Sequence, residues 1–264
     1  MKTVRSHTNP FRASRYAWAW EQIHHLRPST HLDIGCFDGP RLNSLGPLGV
    51  DRRVGFDVNS ESIDVGRRSH PQVELQQISD ICALPAQDAS FDSVTLLDVY
   101  EHLDLPRQRG VMREIWRVLR PGGMLLLTVP RKHVLSVLDT GNFKFRVPSL
   151  HRWFVSWRHS EEYYTQRYQS SPHGLVGDIM ASKRWHEHFS DREQVVMLQS
   201  RGFSVLSIDG SGFFRRPLLL VPLVIPPRFR PALATVISKD ENRFHRANLF
   251  IRAAKPRTTG VGAS

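Results

Sequence analysis

Residues 31–130 alternate between short apolar runs and stretches of helical spacing, and this alternation constrains the fold more than any other feature of the chain. The apolar runs are HLDIG, RVGFDV (53–58), VELQQIS (73–79), SVTLLDV (93–99) and MLLLTVP (124–130). Before the last run, one helical face carries Val111, Ile115, Val118 and Leu119, and the turn Arg120–Gly123 follows. Strands that alternate with helices form a parallel sheet covered on both faces. The sequence therefore predicts an α/β fold.

The C-terminal part extends this pattern with one more helix and two closing strands. Ser190 and Glu193 have the spacing of a capping box, and Gly202 is suited to end the helix that follows. The segments FSVLSID (203–209) and ANLFIRA (247–253) are predicted as strands. We expect one domain over residues 1–264.

Two segments interrupt the pattern. Residues 131–189 hold ten of the 25 aromatic residues and six of the 13 histidines. We expect this segment to be an acceptor-binding lid, or a helical subdomain with its own aromatic core. Its stacking candidates are Trp153, Phe154, Trp157, Tyr163, Tyr164 and Tyr168.

The second interruption, residues 210–245, is an apolar and basic insertion between the last two strands. It contains PLLLVPLVIPP (217–227), with arginines at 215, 216, 228 and 230. The run is too short to cross a bilayer. It is typical of contact with a membrane surface, which we predict for residues 215–230, but also of a loop over the sheet edge or an oligomer contact.

The first strand ends in a glycine turn, HLDIGCFDGP (31–40). Gly35 and Gly39 let the backbone pass close to a ligand, as at the strand ends of parallel sheets. The spacing is not that of a dinucleotide site. Asp33 precedes the turn, and its carboxylate would repel a diphosphate but would suit an ammonium or sulfonium group. The turn therefore predicts a site for a cationic ligand.

This turn resembles the first motif of the class I S-adenosylmethionine-dependent methyltransferases, roughly [DE]xGxGxG, with Phe37 in place of the middle glycine. Asp57, at the end of the second strand, resembles the family's acid that holds the ribose hydroxyls. Asp80-Ile81 resembles the pair beside the adenine. Later blocks of the family are matched by ALPAQDASFDSV (83–94), LLDVYEHL (96–103) and VLRPGGMLLLTVP (118–130).

The resemblance implies a Rossmann-like three-layer sandwich with a seven-stranded, mostly parallel sheet and one antiparallel strand. It implies S-adenosylmethionine as the cofactor. Within the family, it implies the branch of small-molecule O-methyltransferases. The cofactor-binding residues that it implies are Asp33, Gly35, Cys36, Phe37, Gly39, Asp57, Val58, Asp80, Ile81 and Asp98. The acceptor is expected to be a hydroxyl of a small molecule, a glycosyl group or a lipid-linked compound.

Three histidines are candidates for removing a proton from a hydroxyl acceptor: His102, His186 and His188. For His102 the alternatives are that it lines the cofactor pocket and caps the next helix with Glu101, or that it takes part in a cation site like that of quinone-biosynthesis O-methyltransferases. For His186 and His188 the alternative is structural packing. Their i, i+2 spacing indicates a metal only weakly, because no third ligand accompanies them. No metal site is predicted.

Charge and cysteine content bear on partners and location. Residues 31–130 carry ten Lys or Arg against fourteen acids, so the basic excess behind the net charge of +11 lies outside them. It indicates an anionic partner, or only an arginine-rich composition.

Two cysteines and no apolar leader predict a cytoplasmic protein, peripheral on the inner face of the membrane if residues 215–230 bind there. The alternatives to a small-molecule enzyme are an RNA methyltransferase, although nucleic acid is not the expected partner, and a non-catalytic scaffold at a membrane or partner protein. The sequence does not indicate an oligomeric state.

Overall fold

The structure is a computed structural model that describes residues 14–132, 147–168, 187–212, 226, 228, 231–233, 235–236 and 245–257. Its strands are β1 Thr30–Ile34, β2 Arg52–Asp57, β3 Glu74–Gln77, β4 Phe91–Leu97, β5 Leu119–Pro130, β6 Ser204–Gly212 and β7 His245–Ala254. Its helices are α1 Ser14–Leu26, α2 Pro40–Asn43, α3 Ser60–Ser69, α4 Leu105–Val118, α5 Pro148–Arg158, α6 Glu161–Tyr168 and α7 Asp191–Ser200.

The seven strands form one sheet in the order β3-β2-β1-β4-β5-β7-β6. Strands β1 to β5 pair in parallel, and β7 runs antiparallel to both β5 and β6. The predicted Rossmann-like sheet with one antiparallel strand is therefore confirmed. The strand order reverses between β1 and β4, and ligands of open parallel sheets bind beyond the strand ends at such a point.

Helices cover both faces of the sheet because the strands are apolar on both sides. On one face, Ala19 and Ile23 of α1 and Ile63 of α3 share a core with Leu126 of β5. On the other, Val111 and Ile115 of α4 and Leu198 of α7 pack against Leu125 and Leu127. Adjacent residues of β5 thus face opposite sides of the sheet, and the molecule has three layers: helices, sheet and helices.

The predicted strands 53–58, 73–79, 93–99 and 124–130 exist with shifted ends. The largest shift is in β5, which begins at Leu119. The predicted turn is nevertheless present, because pairing with β4 passes from Leu119 directly to Met124, and Gly122 between them has a φ of 85°. The N-terminal helix α1 was not predicted, although its buried residues Ala19 and Ile23 have helical spacing.

Caps fix the helix starts that matter for the site. Asp104, and not Glu101 or His102, caps α4: its Oδ1 accepts a hydrogen bond from the Arg107 N–H at 3.0 Å. At α7 the predicted capping box is confirmed, since the Ser190 hydroxyl accepts from the Glu193 N–H and the Glu193 carboxylate accepts from the Ser190 N–H.

The two insertions are covered only in part. Of residues 131–189, the described portions are α5, α6 and a few residues at either end, so the lid stays a prediction. Of the apolar run 217–227, only Pro226 is described. Within the described ranges, no helix combines the length and apolar character required to cross a membrane.

Candidate active site

The turn after β1 is held in a left-handed backbone conformation. Gly35, Phe37 and Gly39 have φ values of 83°, 55° and 76°. Glycine adopts such values without strain, whereas an L-residue with a Cβ does so at a cost of about 1–2 kcal/mol. The replacement of the middle glycine by Phe37 therefore strains the turn without abolishing it. The Phe37 ring is 59% exposed.

Asp57 at the end of β2 ties this turn to the next strand. Its Oδ2 accepts a hydrogen bond from the Phe37 N–H at 2.8 Å, and its Oδ1 accepts one from the Asn59 N–H at 2.9 Å. Two backbone donors therefore fix the plane of the carboxylate. Each oxygen retains acceptor capacity, so the group can also receive two hydrogen bonds from neighbouring hydroxyls.

Asp57 also lines a narrow, largely apolar cavity. It is bounded by Ile34, Gly35, Phe56, Asp57, Val58, Ile78, Ile81, Val99, His102 and Leu103. The cavity passes close to the backbone at Gly35, where a Cβ would lie 2.4 Å from Cγ2 of Val99. Its lining is apolar apart from Asp57 and His102, so the space suits a largely apolar group that can donate a hydrogen bond to a carboxylate.

The predicted adenine pair is divided by the structure. Ile81 is buried and lines the apolar cavity. Asp80 is exposed, and its Oδ1 accepts a hydrogen bond from the Cys82 N–H at 2.8 Å. Asp80 thus closes the loop that presents Ile81.

A second, polar cavity meets the first at Gly35. It is bounded by Tyr16, Asp33, Gly35, Cys36, Phe37, Asp38, Pro40, Arg41 and Leu97. Burial raises the pKa of Asp33 to about 7, although the Thr95 hydroxyl and the Arg41 charge act in the opposite direction. Burial lowers the pKa of Arg41, against the effect of Tyr16 and of the nearby acids. Asp33 is therefore a buried acid with a high desolvation cost, whereas Arg41 is an exposed cation that lines the same cavity.

Arg15, Tyr16 and Arg41 were not identified from the sequence. Arg41 lies in α2, directly after the glycine turn, and its guanidinium sits over the Tyr16 ring. The helical spacing of Tyr16, Ala19 and Ile23 is the signal that could have located α1 and, with it, Tyr16.

Asp98 follows β4 with a φ of 57° and forms an ion pair with Arg15 of α1. Burial acts to lower the pKa of Arg15, but Asp98 opposes it and the net direction is upward. The Thr128 hydroxyl donates to Oδ1 of Asp98 at 3.2 Å. Asp98 therefore anchors the N-terminal helix beside the polar cavity. Cys36 is buried and burial raises the pKa of its thiol, so it contributes packing and not a thiolate.

Of the two candidate bases that the structure describes, His102 and His188, His102 lines one of these cavities. It is buried in a short 3-10 helix, Tyr100–His102, and lines the apolar cavity together with Asp57. His188 is half-buried just before α7, and the adjacent Glu187 accepts a hydrogen bond from the Gln108 side chain at 2.8 Å. His186 lies outside the described residues.

The aromatic residues of α5 and α6 divide by exposure. Trp153 and Trp157 are 63% and 71% exposed, and Phe154 is 46% exposed. The two indole planes are nearly parallel, at 9°. Tyr164 is buried and packs against His151. Both uses that the sequence suggested for these residues remain predictions.

Comparison with known proteins bears on what these cavities hold. Residues 32–127, which span β1 to β5, match the family described as "Methyltransferase domain". This region belongs to the class I S-adenosylmethionine-dependent methyltransferases. The cofactor of the family is S-adenosylmethionine. In this methyltransferase domain the glycine turn follows β1 and Asp57 ends β2, and their cofactor contacts stay a prediction.

Among the relatives, a ubiquinone biosynthesis O-methyltransferase of Albidiferax ferrireducens is 29% identical over 130 residues, which cover 45% of this chain and 50% of that protein. A demethylmenaquinone methyltransferase of Symbiobacterium thermophilum is 31% identical over 158 residues, covering 53% and 61%. The chain spans between 31% and 61% of the length of the first relatives it matches.

Solved structures support the fold. A SAM-dependent methyltransferase of Methanosarcina mazei superposes with a TM-score of 0.52 and 19% identity, covering 86% of this chain and 92% of that one. At this identity the similarity establishes the architecture alone.

Proposed function

We propose that the protein is an S-adenosylmethionine-dependent methyltransferase that methylates a hydroxyl of a small-molecule, glycosyl or lipid-linked acceptor. The observation that carries the proposal is the pairing of an apolar cavity lined by Asp57 with a polar cavity lined by Asp33 and Arg41, with Gly35 lining both. This division matches the two halves of the cofactor, which is a nucleoside at one end and a zwitterionic amino acid at the other.

Asp57 is assigned to the ribose. Its carboxylate is already oriented by two backbone amides, so binding two hydroxyls would order no further side chain. Ile81 and Val58 are assigned to the faces of the base, because they supply apolar surface on the same cavity.

Asp33 and Arg41 are assigned to the amino-acid end of the cofactor. An ionised Asp33 would bind the ammonium group, and this partner would offset the cost of its burial. Arg41, which is exposed at the same cavity, would bind the carboxylate. Bound there, the cofactor supplies a methyl group on a positively charged sulfur. The protein then has to align the acceptor oxygen and remove its proton.

His102 is our first candidate for that proton transfer, since it lines the cofactor cavity, with His188 and His186 as the others. The hydroxyl acceptor is supported by the name of the ubiquinone biosynthesis relative.

Contact of residues 215–230 with an anionic membrane surface stays a prediction. Sedimentation of the full chain with vesicles, compared with a chain that lacks residues 217–226, tests it.

Isothermal titration with S-adenosylhomocysteine tests the cofactor site. Asp57→Ala should weaken binding at least about ten-fold, because it removes the acceptors for two hydroxyls. Asp51→Ala is the matched control, since Asp51 is an exposed acid that directly precedes the first residue of β2. Equal affinities for the two variants would contradict the assignment.

Mass spectrometry of extracts incubated with methyl-labelled S-adenosylmethionine tests the acceptor. A labelled product that carries the methyl group on oxygen supports the proposal. A label on nitrogen or carbon would contradict the hydroxyl acceptor, and wild-type protein that binds no cofactor would contradict methyl transfer as a whole.

A further inference from the structure

A line of buried polar side chains runs along one face of β1 and β4 to Asp33. His31, Ser93 and Thr95 are fully buried and Asp33 is 5% exposed. The strand register pairs His31 with Ser93 and Asp33 with Thr95. Alternate residues of a strand share a face, so the four side chains form a continuous row from inside the core to the polar cavity.

Hydrogen bonds connect the row without a gap. Nδ1 of His31 lies 2.8 Å from the Ser93 hydroxyl, and its Nε2 lies 3.1 Å from the Thr95 hydroxyl. Thr95 in turn donates to Oδ1 of Asp33 at 2.7 Å. The carbonyl of Leu32, at 3.4 Å, is the weaker alternative acceptor for the same proton.

When Asp33 is ionised, the direction of these bonds follows from proton counting. An ionised carboxylate only accepts, so the one Thr95 proton goes to Asp33 and the Thr95 oxygen must accept from Nε2–H of His31. Burial lowers the pKa of His31 to about 3, so the ring is neutral and carries a single proton. Nδ1 therefore accepts from the Ser93 hydroxyl, and every donor in the row points towards Asp33.

We propose that His31 and Thr95 are positioning residues of the cofactor site: they hold Asp33 ionised, occupy its Oδ1, and leave Oδ2 to bind the ammonium group of the cofactor. This inference rests on the proposed function. Asp33 sits in a dry position next to the core, where burial disfavours the ionised form of a carboxyl group. A row of aligned donors opposes that tendency from the side away from the ligand.

Other charged and titratable groups also face Asp33 and must be weighed. Arg41 favours its ionised form and Asp57 opposes it. Asp38 and Cys36 line the same cavity, with Tyr16 contributed by α1. Arg15 of α1 is neutralised by Asp98 at the neighbouring strand end. None of these groups belongs to the row, so a change of Thr95 leaves them in place.

Protonation of Asp33 would reverse the row. The carboxyl group could then donate to Thr95, Thr95 could donate to Nε2, and the His31 proton would move to Nδ1 and face Ser93. The tautomer of His31 thus reports the charge of Asp33 from within the core.

The first experiment compares S-adenosylhomocysteine binding by wild type and Thr95→Val from pH 6 to pH 9. If the hydroxyl favours the ionised carboxylate about ten-fold, the ratio of dissociation constants, variant to wild type, should be about ten at pH 6 and about one at pH 9. Ionisation of the ligand cancels in this ratio. Thr95→Ser, which keeps the donor, should restore wild-type behaviour.

5′-Methylthioadenosine is the matched control ligand, because it lacks the amino-acid end. Its affinity should be the same for wild type and Thr95→Val at every pH. A ratio for S-adenosylhomocysteine that does not change with pH, or an equal loss for both ligands, would mean that Thr95 acts only through packing and would overturn the inference.

The second experiment needs no variant at Thr95. Nitrogen-15 NMR of the wild-type protein at pH 8 with S-adenosylhomocysteine should show His31 neutral with its proton on Nε2, the signal being assigned by its loss in His31→Gln. A proton on Nδ1 would overturn the inference. Wild-type protein that does not bind S-adenosylhomocysteine would instead contradict the proposed function, so the two failures are distinguishable.

Discussion

Gly35 lines both cavities, and replacing it should cost stability for two separable reasons. In Gly35→Ala the new Cβ lies at a φ of 83° and 2.4 Å from Cγ2 of Val99. The backbone conformation alone costs about 1–2 kcal/mol. Overpacking against a buried side chain adds about 1–3 kcal/mol. We therefore expect the free energy of unfolding to fall by about 2–5 kcal/mol.

Gly49→Ala measures the cost of the backbone conformation without the cost of overpacking. Gly49 has a φ of 84°, the same within a degree, but a Cβ there meets nothing within 4 Å. Urea denaturation of both variants should give about 1–2 kcal/mol for Gly49→Ala and a larger loss for Gly35→Ala. Combining Gly35→Ala with Val99→Ala should cost less than the sum of the single changes, since Cγ2 is removed. Equal losses at Gly35 and Gly49 would refute the reasoning.

Three further outcomes are expected. Arg41→Gln should weaken S-adenosylhomocysteine binding about five- to ten-fold through a lost charge-assisted hydrogen bond, with 5′-methylthioadenosine unaffected; calorimetry that finds both ligands weakened equally would argue against the assignment. Phe37→Gly should raise the free energy of unfolding by about 0.5–1 kcal/mol, because strain at a φ of 55° is relieved, and a destabilised variant in urea would show that ring packing matters more. Ser190→Ala should lower it by about 1 kcal/mol through loss of the α7 cap; no change in the same assay would mean that the capping box contributes nothing.

The sequence predicted the parts of the fold that depend on local patterns. Strand and helix alternation indicated the parallel sheet, and the spacing of Ser190 and Glu193 indicated the cap that is present. The glycine turn and Asp57 were located because each lies at the carboxyl end of its strand, and these strand ends share one edge of the sheet. Strand ends were less accurate, since Leu119 pairs with β4 before the turn at Gly122 interrupts the ladder.

What the sequence could not provide were contacts between distant segments. Arg15 meets Asp98 only because α1 packs back over the sheet. His31 read as an ordinary strand residue, and its role depends on the register that places Ser93 and Thr95 opposite β1. Asp80 and Ile81 are adjacent in sequence, yet only Ile81 lines the cavity, because Asp80 bonds to the backbone of its own loop.

The helix beside the polar cavity, α1, is also fastened to the far end of the chain. Gln22 accepts a hydrogen bond from Arg252 of β7 across 230 residues, and the Trp18 ring packs on Phe250 with 5.2 Å between ring centroids. Contacts of such separation form late, because a long loop must close before they are made. During synthesis the wall that Tyr16 contributes to the polar cavity would thus form only after β7 has emerged, and cofactor bound in this cavity could not stabilise the nascent chain before that point.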